Sequence, residues 1–155
     1  MVKLRQVTEK DCRLIWNWAN DPQVRAGSFS TDSIPYENHR QWFESKLNDP
    51  SCFFYIAENR NGEPVGQVRF DFEGKEATIS ISLDREFRDK GYGSKLIQLA
   101  AKKISDVSEV DKIHAYIKKE NTASLKSFQE AGFQDLKVAK VDNQQAFHLI
   151  LAMKS

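Results

Sequence analysis

Residues 83–94 read Leu-Asp-Arg-Glu-Phe-Arg-Asp-Lys-Gly-Tyr-Gly-Ser and form the most informative segment of the chain. Just before them, apolar and hydroxyl residues alternate over Ala77–Leu83, which predicts a strand with one buried face. Just after them, apolar residues recur at helical spacing over Ser94–Ile104. The segment is therefore predicted to connect a strand to a helix and to end in a glycine-rich turn.

The start of that helix is a favourable place for a phosphate group, because its first N–H groups are unpaired and the helix dipole is positive there. Gly91 and Gly93 let the backbone approach a ligand closely, and Arg88 and Lys90 add positive charge. A tight turn with solvated basic side chains would explain the same residues, since short glycine patterns are weak signals. The dinucleotide pattern G-x-G-x-x-G and the P-loop pattern are both absent from the sequence.

A second signal lies downstream, in the stretch from Asn121 to Phe133. Asn121 is a good helix cap, and Leu125 and Phe128 fall at core positions of the helix that follows. Gly132 is expected to end that helix. Read alone, the stretch needs no function to explain it.

Outward from these segments, the apolar pattern predicts the element order β-α-α-β-β-β-α-β-α-β-β, an α+β domain. Thr8 opens a capping-box pattern before the first helix, residues 20–33 are predicted as a loop, and Ser33 and Pro35 are expected to start the second helix. Later helices are expected near Ser94–Ile104 and Ala123–Ala131. The predicted strands are Val2–Val7, Phe53–Glu58, Val65–Phe72, Ala77–Leu83, Lys112–Lys118, 133–141 and 145–153.

Composition narrows the classes of function. The 155 residues predict one domain over residues 1–155, and a net charge of +1 gives no overall field that would favour nucleic acid or an anionic membrane. Two cysteines are too few for a disulfide-rich scaffold, so free thiols are expected. The first residues lack the apolar stretch of a signal peptide, and no run of about 18 apolar residues occurs. We therefore expect a cytoplasmic protein without nucleic-acid or membrane partners.

Together, the two informative segments resemble the GNAT superfamily of acetyltransferases. Arg88-x-x-Gly91-x-Gly93 looks like the pyrophosphate loop of that family, and Asn121 with the helix ending at Ala131-Gly132-Phe133 looks like its second cofactor motif. The resemblance implies a mixed, mostly antiparallel central sheet of about seven strands flanked by about four helices. It also implies direct acetyl transfer from acetyl-CoA to a primary amine without a metal.

The resemblance assigns cofactor contacts to two groups of residues. Backbone groups of the strand end would hold the pantetheine arm and the thioester carbonyl, and the glycine turn would surround the pyrophosphate. The side chain of the asparagine would contact the cofactor or a water beside it. The implied cofactor residues are Ile81, Ser82, Leu83, Arg88, Asp89, Lys90, Gly91, Tyr92, Gly93, Ser94 and Asn121.

Three polar groups of the family are replaced here. Phe128 stands where many relatives carry a tyrosine as general acid, Tyr116 where some carry a glutamate base, and Thr78 where others carry a carboxylate. Tyr116 is then the first candidate for a catalytic group, with His114 and Ser124 behind it. The alternatives are a half-buried strand tyrosine and a structural histidine.

The amino-terminal third resembles the nucleotide-sugar N-acetyltransferases that act on UDP-linked 4-amino-4,6-dideoxy sugars and, more distantly, the ribosomal-protein N-acetyltransferases. Arg25 would then contact a phosphate, Phe29 and Trp42 would stack, and His39 would make a polar contact. Thr78 completes the predicted acceptor residues. The alternative is packing, in which Trp18, Trp42 and Phe43 hold two helices to the sheet.

The missing carboxylates favour a weakly basic acceptor, because an amine with a pKa near ~8 loses its proton more easily than lysine near ~10.4. An amino sugar fits this requirement better than lysine or a polyamine. Protein N-termini, polyamines and other small amines remain open as acceptors, as does a catalytically silent acyl-CoA-binding module. A homodimer also remains open.

Overall fold

The computed structural model describes residues 2–153 of the chain. Its strands are β1 Lys3–Gln6, β2 Cys52–Glu58, β3 Pro64–Glu73, β4 Glu76–Leu83, β5 Lys112–Lys118, β6 Gln134–Val141 and β7 Gln144–Ala152. Its helices are α1 Cys12–Ala19, α2 Pro22–Ala26, α3 Tyr36–Leu47, α4 Tyr92–Val107 and α5 Thr122–Glu130, with short 3-10 helices at Glu9–Asp11 and Arg85–Phe87. The predicted α+β class is confirmed, with five α-helices in residues 2–153 rather than about four.

One sheet contains all seven of these strands, in the order β1-β2-β3-β4-β5-β7-β6. Neighbouring strands are antiparallel except for β4 and β5, which run parallel. Among the described residues, the registered pairs between β4 and β5 end at Thr78 and His114. Backbone groups on one edge of β4 beyond Thr78 therefore lack a neighbouring strand in the middle of the sheet.

Helices cover both faces of the sheet, because alternate residues of each strand point to opposite sides. Tyr55 packs with α4 and α5 in the larger core, whereas Phe54 and Ile56 pack with α1 and α3 in the smaller one. Trp18 and Phe43 are buried in that smaller core, which agrees with the alternative that these side chains hold the helices to the sheet. Every helix within residues 2–153 is too short or too polar to cross a membrane.

The predicted capping box at Thr8 is confirmed. The Thr8 hydroxyl accepts a hydrogen bond from the Lys10 backbone N–H at 3.3 Å, and the Asp11 carboxylate accepts one from the Thr8 N–H at 2.8 Å. Arg5 adds two hydrogen bonds to the same carboxylate, both at 2.9 Å. The start of α1 is thereby fixed to β1.

Two local predictions are wrong. The predicted loop over residues 20–33 contains α2, in which Pro22 occupies the first turn and the Asp21 side chain accepts from the Gln23 N–H at 2.9 Å. Asp-Pro ends one helix here and also starts the next, because proline lacks only an N–H that a first turn leaves unpaired. Ser33 is not the cap of α3, since α3 begins at Tyr36 with Pro35 before it.

Candidate active site

Two cavities of similar size meet at the end of β4. The α4 groove, about 510 Å³, lies between β4, α2, the start of α4, and α5. The α3 cavity, about 500 Å³, lies between α1, α3 and the strands β2 to β4. Residues that line both are Val24, Ser28, Ile81 and Ser82. Molecules bound in the two cavities would meet at these four residues.

The glycine turn opens the start of α4 toward the α4 groove. Gly91 has a φ of +81°, a conformation that glycine adopts easily, and no side chain caps the helix there. Tyr92, Gly93 and Ser94 line the groove at the first turn of α4. Their backbone N–H groups and the positive end of this 16-residue helix together make a phosphate-binding arrangement.

Arg88 holds the glycine turn in place through contacts with α2 and with the end of β4. Its guanidinium donates to the Leu83 carbonyl at 3.0 and 3.2 Å and to the Gln23 side-chain oxygen at 3.0 Å. It also forms an ion pair with Asp21 at 3.2 Å. Burial alone would raise the pKa of Asp21, but hydrogen bonds from Arg88 and the Gln23 N–H lower it overall. Arg88 thus ties the turn to α2 and to the end of β4, in addition to lining the groove.

Close helix packing accounts for two further glycines. A β-carbon at Gly93 would lie 2.7 Å from Ser127 Oγ on α5, and one at Gly27 would lie 2.9 Å from Asn121 Nδ2. The Asn121 Oδ1 caps α5 by accepting from the Ser124 N–H at 3.3 Å, as the sequence predicts. Asn121 therefore borders the groove with its position fixed on two sides.

Ten of the eleven predicted cofactor residues line the α4 groove. The exception is Lys90, which is exposed in the turn outside it. The groove is also lined by residues that no sequence motif indicated, namely Gln23 and Val24 of α2 and Lys126 and Ser127 of α5. That these residues bind a cofactor stays a prediction.

The predicted catalytic residues fall into two places. Ser124 lines the α4 groove, whereas Tyr116 and His114 line neither cavity. Phe128 is buried and packs edge-on against Phe133 at 5.0 Å between ring centroids, so it belongs to the core. Their catalytic roles remain predictions.

Tyr116 and His114 belong instead to a cluster on β4, β5 and β7. His114 forms hydrogen bonds to His148 at 2.8 Å and to Glu76 at 2.5 Å, and Tyr116 stacks on His148 at 4.3 Å. His114 pairs with Thr78, and Ser82 lies four residues further along β4, which is roughly 13 Å at the rise of a strand. His114 is therefore too far along the sheet from Ser82 for a direct proton transfer between the two positions.

The predicted acceptor residues also separate. Arg25, His39 and Trp42 line the α3 cavity, but Phe29 and Thr78 do not. The Phe29 carbonyl accepts a hydrogen bond from the side chain of Gln144, which ties the loop after α2 to β7.

The Arg25 guanidinium is already engaged with the loop after α2. Its Nε donates to the Ala19 carbonyl at 2.7 Å, its Nη1 to the Ser30 and Asp32 carbonyls at 2.9 and 3.2 Å, and its Nη2 to Ser28 Oγ at 3.4 Å. All three nitrogens have partners within the protein. Arg25 contributes charge to the cavity wall and holds the loop after α2, whose Ser28 lines both cavities.

His39 is a neutral imidazole at the wall of the α3 cavity. Its Nε2 lies 3.0 Å from the Cys12 carbonyl oxygen, which can only accept, so Nε2 carries the hydrogen. Burial lowers the pKa of His39, which keeps the ring neutral near pH 7. The ring stacks on Phe43 and approaches Trp42, with centroids 5.8 and 5.6 Å away.

The polar floor of the α3 cavity consists of residues that sequence analysis did not assign to a site: Gln67, Arg69 and Ser80. They alternate with core residues on β3 and β4, a pattern that reads as a solvent-facing side. Among the residues lining this cavity in the described part of the chain, there is no aspartate or glutamate. With Arg25 and Arg69 present, the cavity favours a neutral or anionic occupant.

Comparison with known proteins agrees with this architecture. A family model described as "Acetyltransferase (GNAT) domain" matches residues 2–134. The chain belongs to the GNAT acetyltransferase family. The predicted enzyme class, an acetyl-CoA-dependent N-acetyltransferase, is thereby confirmed at the level of the domain family.

Named relatives and a solved structure support the GNAT assignment. YwnH of Bacillus subtilis, named for phosphinothricin acetylation, is 32% identical over 68% of this chain and 66% of its own. Acetyltransferase PseH of Campylobacter jejuni (strain 81-176) is 26% identical over 86% of this chain and 85% of its own. A structure of the aminoglycoside acetyltransferase AAC(6')-Ib with coenzyme A has a TM-score of 0.85 at 22% identity, covering 98% of this chain and 95% of that one. The GNAT fold is confirmed by this likeness.

The relatives differ in length. The chain spans 66% of YwnH and 28% of the longer MJ1062 of Methanocaldococcus jannaschii, to which it is 26% identical over 137 residues.

Proposed function

We propose that this chain transfers the acetyl group of acetyl-CoA, bound in the α4 groove, to a primary amine held in the α3 cavity. The acceptor carries no excess of positive charge, and a nucleotide-linked 4-amino sugar fits best. The observation that carries this proposal is the composition of the α3 cavity, which has Arg25 and Arg69 and no carboxylate among its described lining residues.

The donor would lie along the glycine turn and the free edge of β4. Its pyrophosphate would accept hydrogen bonds from the N–H groups at Gly91–Ser94. Its pantetheine arm would pair with the backbone of Ile81–Leu83, which β5 leaves unpaired. The thioester would then lie near Ser82, where the two cavities meet.

The transfer would rest on positioning. The neutral amine would attack the thioester carbonyl, so that a C–N bond forms and the carbonyl oxygen becomes an oxyanion; the C–S bond then breaks as the carbonyl is restored. The proton that the amine loses ends on the CoA thiolate, which leaves as the thiol. Backbone N–H groups near Ile81 and Ser82 would stabilise the oxyanion, and alignment of the two substrates supplies much of the rate. Of the predicted catalytic residues, Ser124 would lie on the donor side of this path, because it lines the α4 groove.

The candidate acceptors differ in net charge, and the cavity should discriminate between them on that basis. A polyamine or an aminoglycoside would bring several ammonium groups to a wall whose described residues offer two guanidinium groups and no carboxylate. A sugar amine with a pKa near ~8 also needs less help to become neutral than an alkyl amine near ~10.4. The resemblance of the amino-terminal third to the nucleotide-sugar N-acetyltransferases supports an amino-sugar acceptor.

A second candidate is an anionic amino acid of the phosphinothricin type, which the likeness to YwnH favours. Its carboxylate and phosphinate suit the same cationic cavity. Its amine lies beside the carboxylate, whereas a 4-amino sugar places the amine and the anomeric phosphate on opposite sides of one ring.

The test is an acceptor panel in which charge varies deliberately, with acetyl-CoA as donor and product detected by mass spectrometry. The panel contains a UDP-linked 4-amino-4,6-dideoxy sugar, phosphinothricin, an amino-terminal peptide, spermidine and kanamycin. We expect the highest kcat/KM for the sugar nucleotide and the lowest for spermidine and kanamycin. A preference for the polycations would refute the proposal, and CoA binding without any product would favour the silent module.

A further inference from the structure

We propose that Arg69 is the anchor for an oxyanion group on the acceptor. This inference rests on the proposed function, in that the α3 cavity holds the acceptor. The side chain that the sequence suggested for this task, Arg25, has all of its nitrogens engaged within the protein. Arg69 is held equally firmly but retains a free donor.

The guanidinium of Arg69 is fixed in direction by its neighbours. Its Nε donates to Asp71 Oδ2 at 2.8 Å, and its Nη2 donates to Ser80 Oγ at 3.2 Å. The Trp42 ring lies against it, with 5.0 Å between the guanidinium carbon and the ring centroid. Among the described residues, Nη1 has no hydrogen-bond partner, and it is not a sealed buried atom. Arg69 lines the α3 cavity with two N–H groups of Nη1 available.

The local charges leave an excess of one positive charge beside the cavity. Asp71 accepts from Lys46 Nζ at 2.8 Å through one oxygen and from Arg69 Nε at 2.8 Å through the other. Burial alone would raise the pKa of Asp71, but these two cations lower it, so the carboxylate stays charged at neutral pH. Two cations therefore share one anion, and an incoming oxyanion would complete the balance.

The position of Arg69 matches an acceptor with its amine and its oxyanion on opposite sides of a sugar ring. Arg69 is registered with Ser80 on β4, two residues before Ser82, where the cavities meet. Two residues of strand span roughly 6.6 Å, comparable to the separation between the 4-amino nitrogen and the anomeric phosphorus across a pyranose. An amine at Ser82 would thus place an anomeric phosphate near the free N–H groups of Arg69.

The free Nη1 of Arg69 can donate charge-assisted hydrogen bonds to oxygens of a phosphate or carboxylate, while Nε and Nη2 hold the planar group on Asp71 and Ser80. A charge-assisted hydrogen bond of this kind changes affinity by about 10- to 100-fold in a partly buried site. The Arg69→Lys variant would keep the charge but lose the planar fork, so an intermediate effect is expected.

The experiment compares wild type with Arg69→Gln, Arg69→Lys and the matched control Arg60→Gln. Arg60 is an exposed arginine in the turn after β2, away from both cavities. Two acceptors share one 4-amino sugar, the first linked to UDP and the second an uncharged methyl glycoside. We expect Arg69→Gln to raise KM for the UDP-linked sugar about 10- to 100-fold. The KM values for the glycoside and for acetyl-CoA should stay within about twofold, and Arg60→Gln should match wild type in every constant.

A binding measurement separates this inference from the choice of acceptor. Protein saturated with CoA, so that the α4 groove is filled, is titrated calorimetrically with UDP. Wild type and Arg60→Gln should bind UDP alike, and Arg69→Gln should bind it about tenfold or more weakly. If wild type acetylates no sugar nucleotide but this difference holds, the proposed acceptor is wrong and the oxyanion anchor stands. The anchor is overturned if folded Arg69→Gln binds UDP as tightly as wild type. Should Arg69→Gln not fold, the anchor is overturned if Arg69→Lys and wild type bind UDP equally at both low and high salt.

Discussion

The Gly91→Ala variant tests the role of the glycine turn. The size of its effect on stability and on CoA binding can be worked out from the backbone conformation. Gly91 has a φ of +81°, and an added β-carbon would meet no atom of residues 2–153 within 4 Å. The substitution therefore costs backbone strain alone, roughly 1–2 kcal/mol for an L-residue in the left-handed region. Part of that strain is offset by the stiffer unfolded chain, so a net cost of about 1 kcal/mol is expected.

This cost divides between stability and cofactor binding. If the turn keeps its conformation without ligand, the free energy of unfolding falls by the full amount and CoA affinity is unchanged. If the turn relaxes, stability is recovered and binding must restore the strained conformation, which raises the Kd for CoA by up to about fivefold. The two losses should add to about 1 kcal/mol. Urea unfolding and calorimetric titration with CoA measure them separately.

Gly62→Ala is the matched control, because Gly62 has a φ of +79° and equally open surroundings in the turn between β2 and β3. It should lose about 1 kcal/mol of stability with no change in CoA affinity. Gly91→Asn should recover part of the loss, since asparagine tolerates this conformation better. A summed loss near zero for Gly91→Ala, or weaker CoA binding by Gly62→Ala, would refute the reasoning.

Three further substitutions test the core and the helix start. Burial lowers the pKa of His39 from its usual 6.5, so the unfolded chain takes up the proton first and the free energy of unfolding falls as pH drops below 6.5. His39→Gln should make the free energy of unfolding depend less steeply on pH, by at most ~1.4 kcal/mol per pH unit. Urea titrations from pH 5 to 7 measure this slope, and a slope equal to that of wild type would contradict the prediction. Asp11→Ala removes a cap and the partner of Arg5, and should lower urea stability by about 2 kcal/mol; a loss below ~0.5 would argue against the capping account. Phe128→Tyr should destabilise by about 1–3 kcal/mol without raising kcat, because the new hydroxyl would be buried in the core. A rise in kcat would instead mean that the ring edge reaches the donor thiol.

Local patterns in the sequence were enough to predict most of the fold. The alternation over Ala77–Leu83, the capping box at Thr8 and the glycine turn each involve residues within a few positions of one another. Such features follow from backbone geometry and short-range hydrogen bonds, so they are legible without a structure. Helix α2 was not predicted, because an Asp-Pro pair such as Asp21-Pro22 can either end one helix or start another.

The proposed donor side of the site could also be predicted from the sequence, because its residues are contiguous in the chain. Residues 88–94 form one turn at one helix start, and all but Lys90 line the α4 groove. The proposed acceptor side was predicted less completely. Its floor is built from Gln67, Arg69 and Ser80, which in sequence alone look like the solvent face of two strands.

What each arginine does was decided only by tertiary structure. Arg88 meets Gln23 across 65 positions of sequence, and Arg69 meets Ser80 across a strand pair. The Arg25 nitrogens donate to Ala19 of α1 and to the loop after α2, whereas Nη1 of Arg69, at a cavity wall, has no partner among the described residues. A guanidinium looks the same in any sequence window, and its role depends on which oxygens the folded backbone brings within about 3 Å of it. Periodicity and turn chemistry are properties of neighbours along the chain, but the free donors and net charge of a site arise from contacts between distant segments.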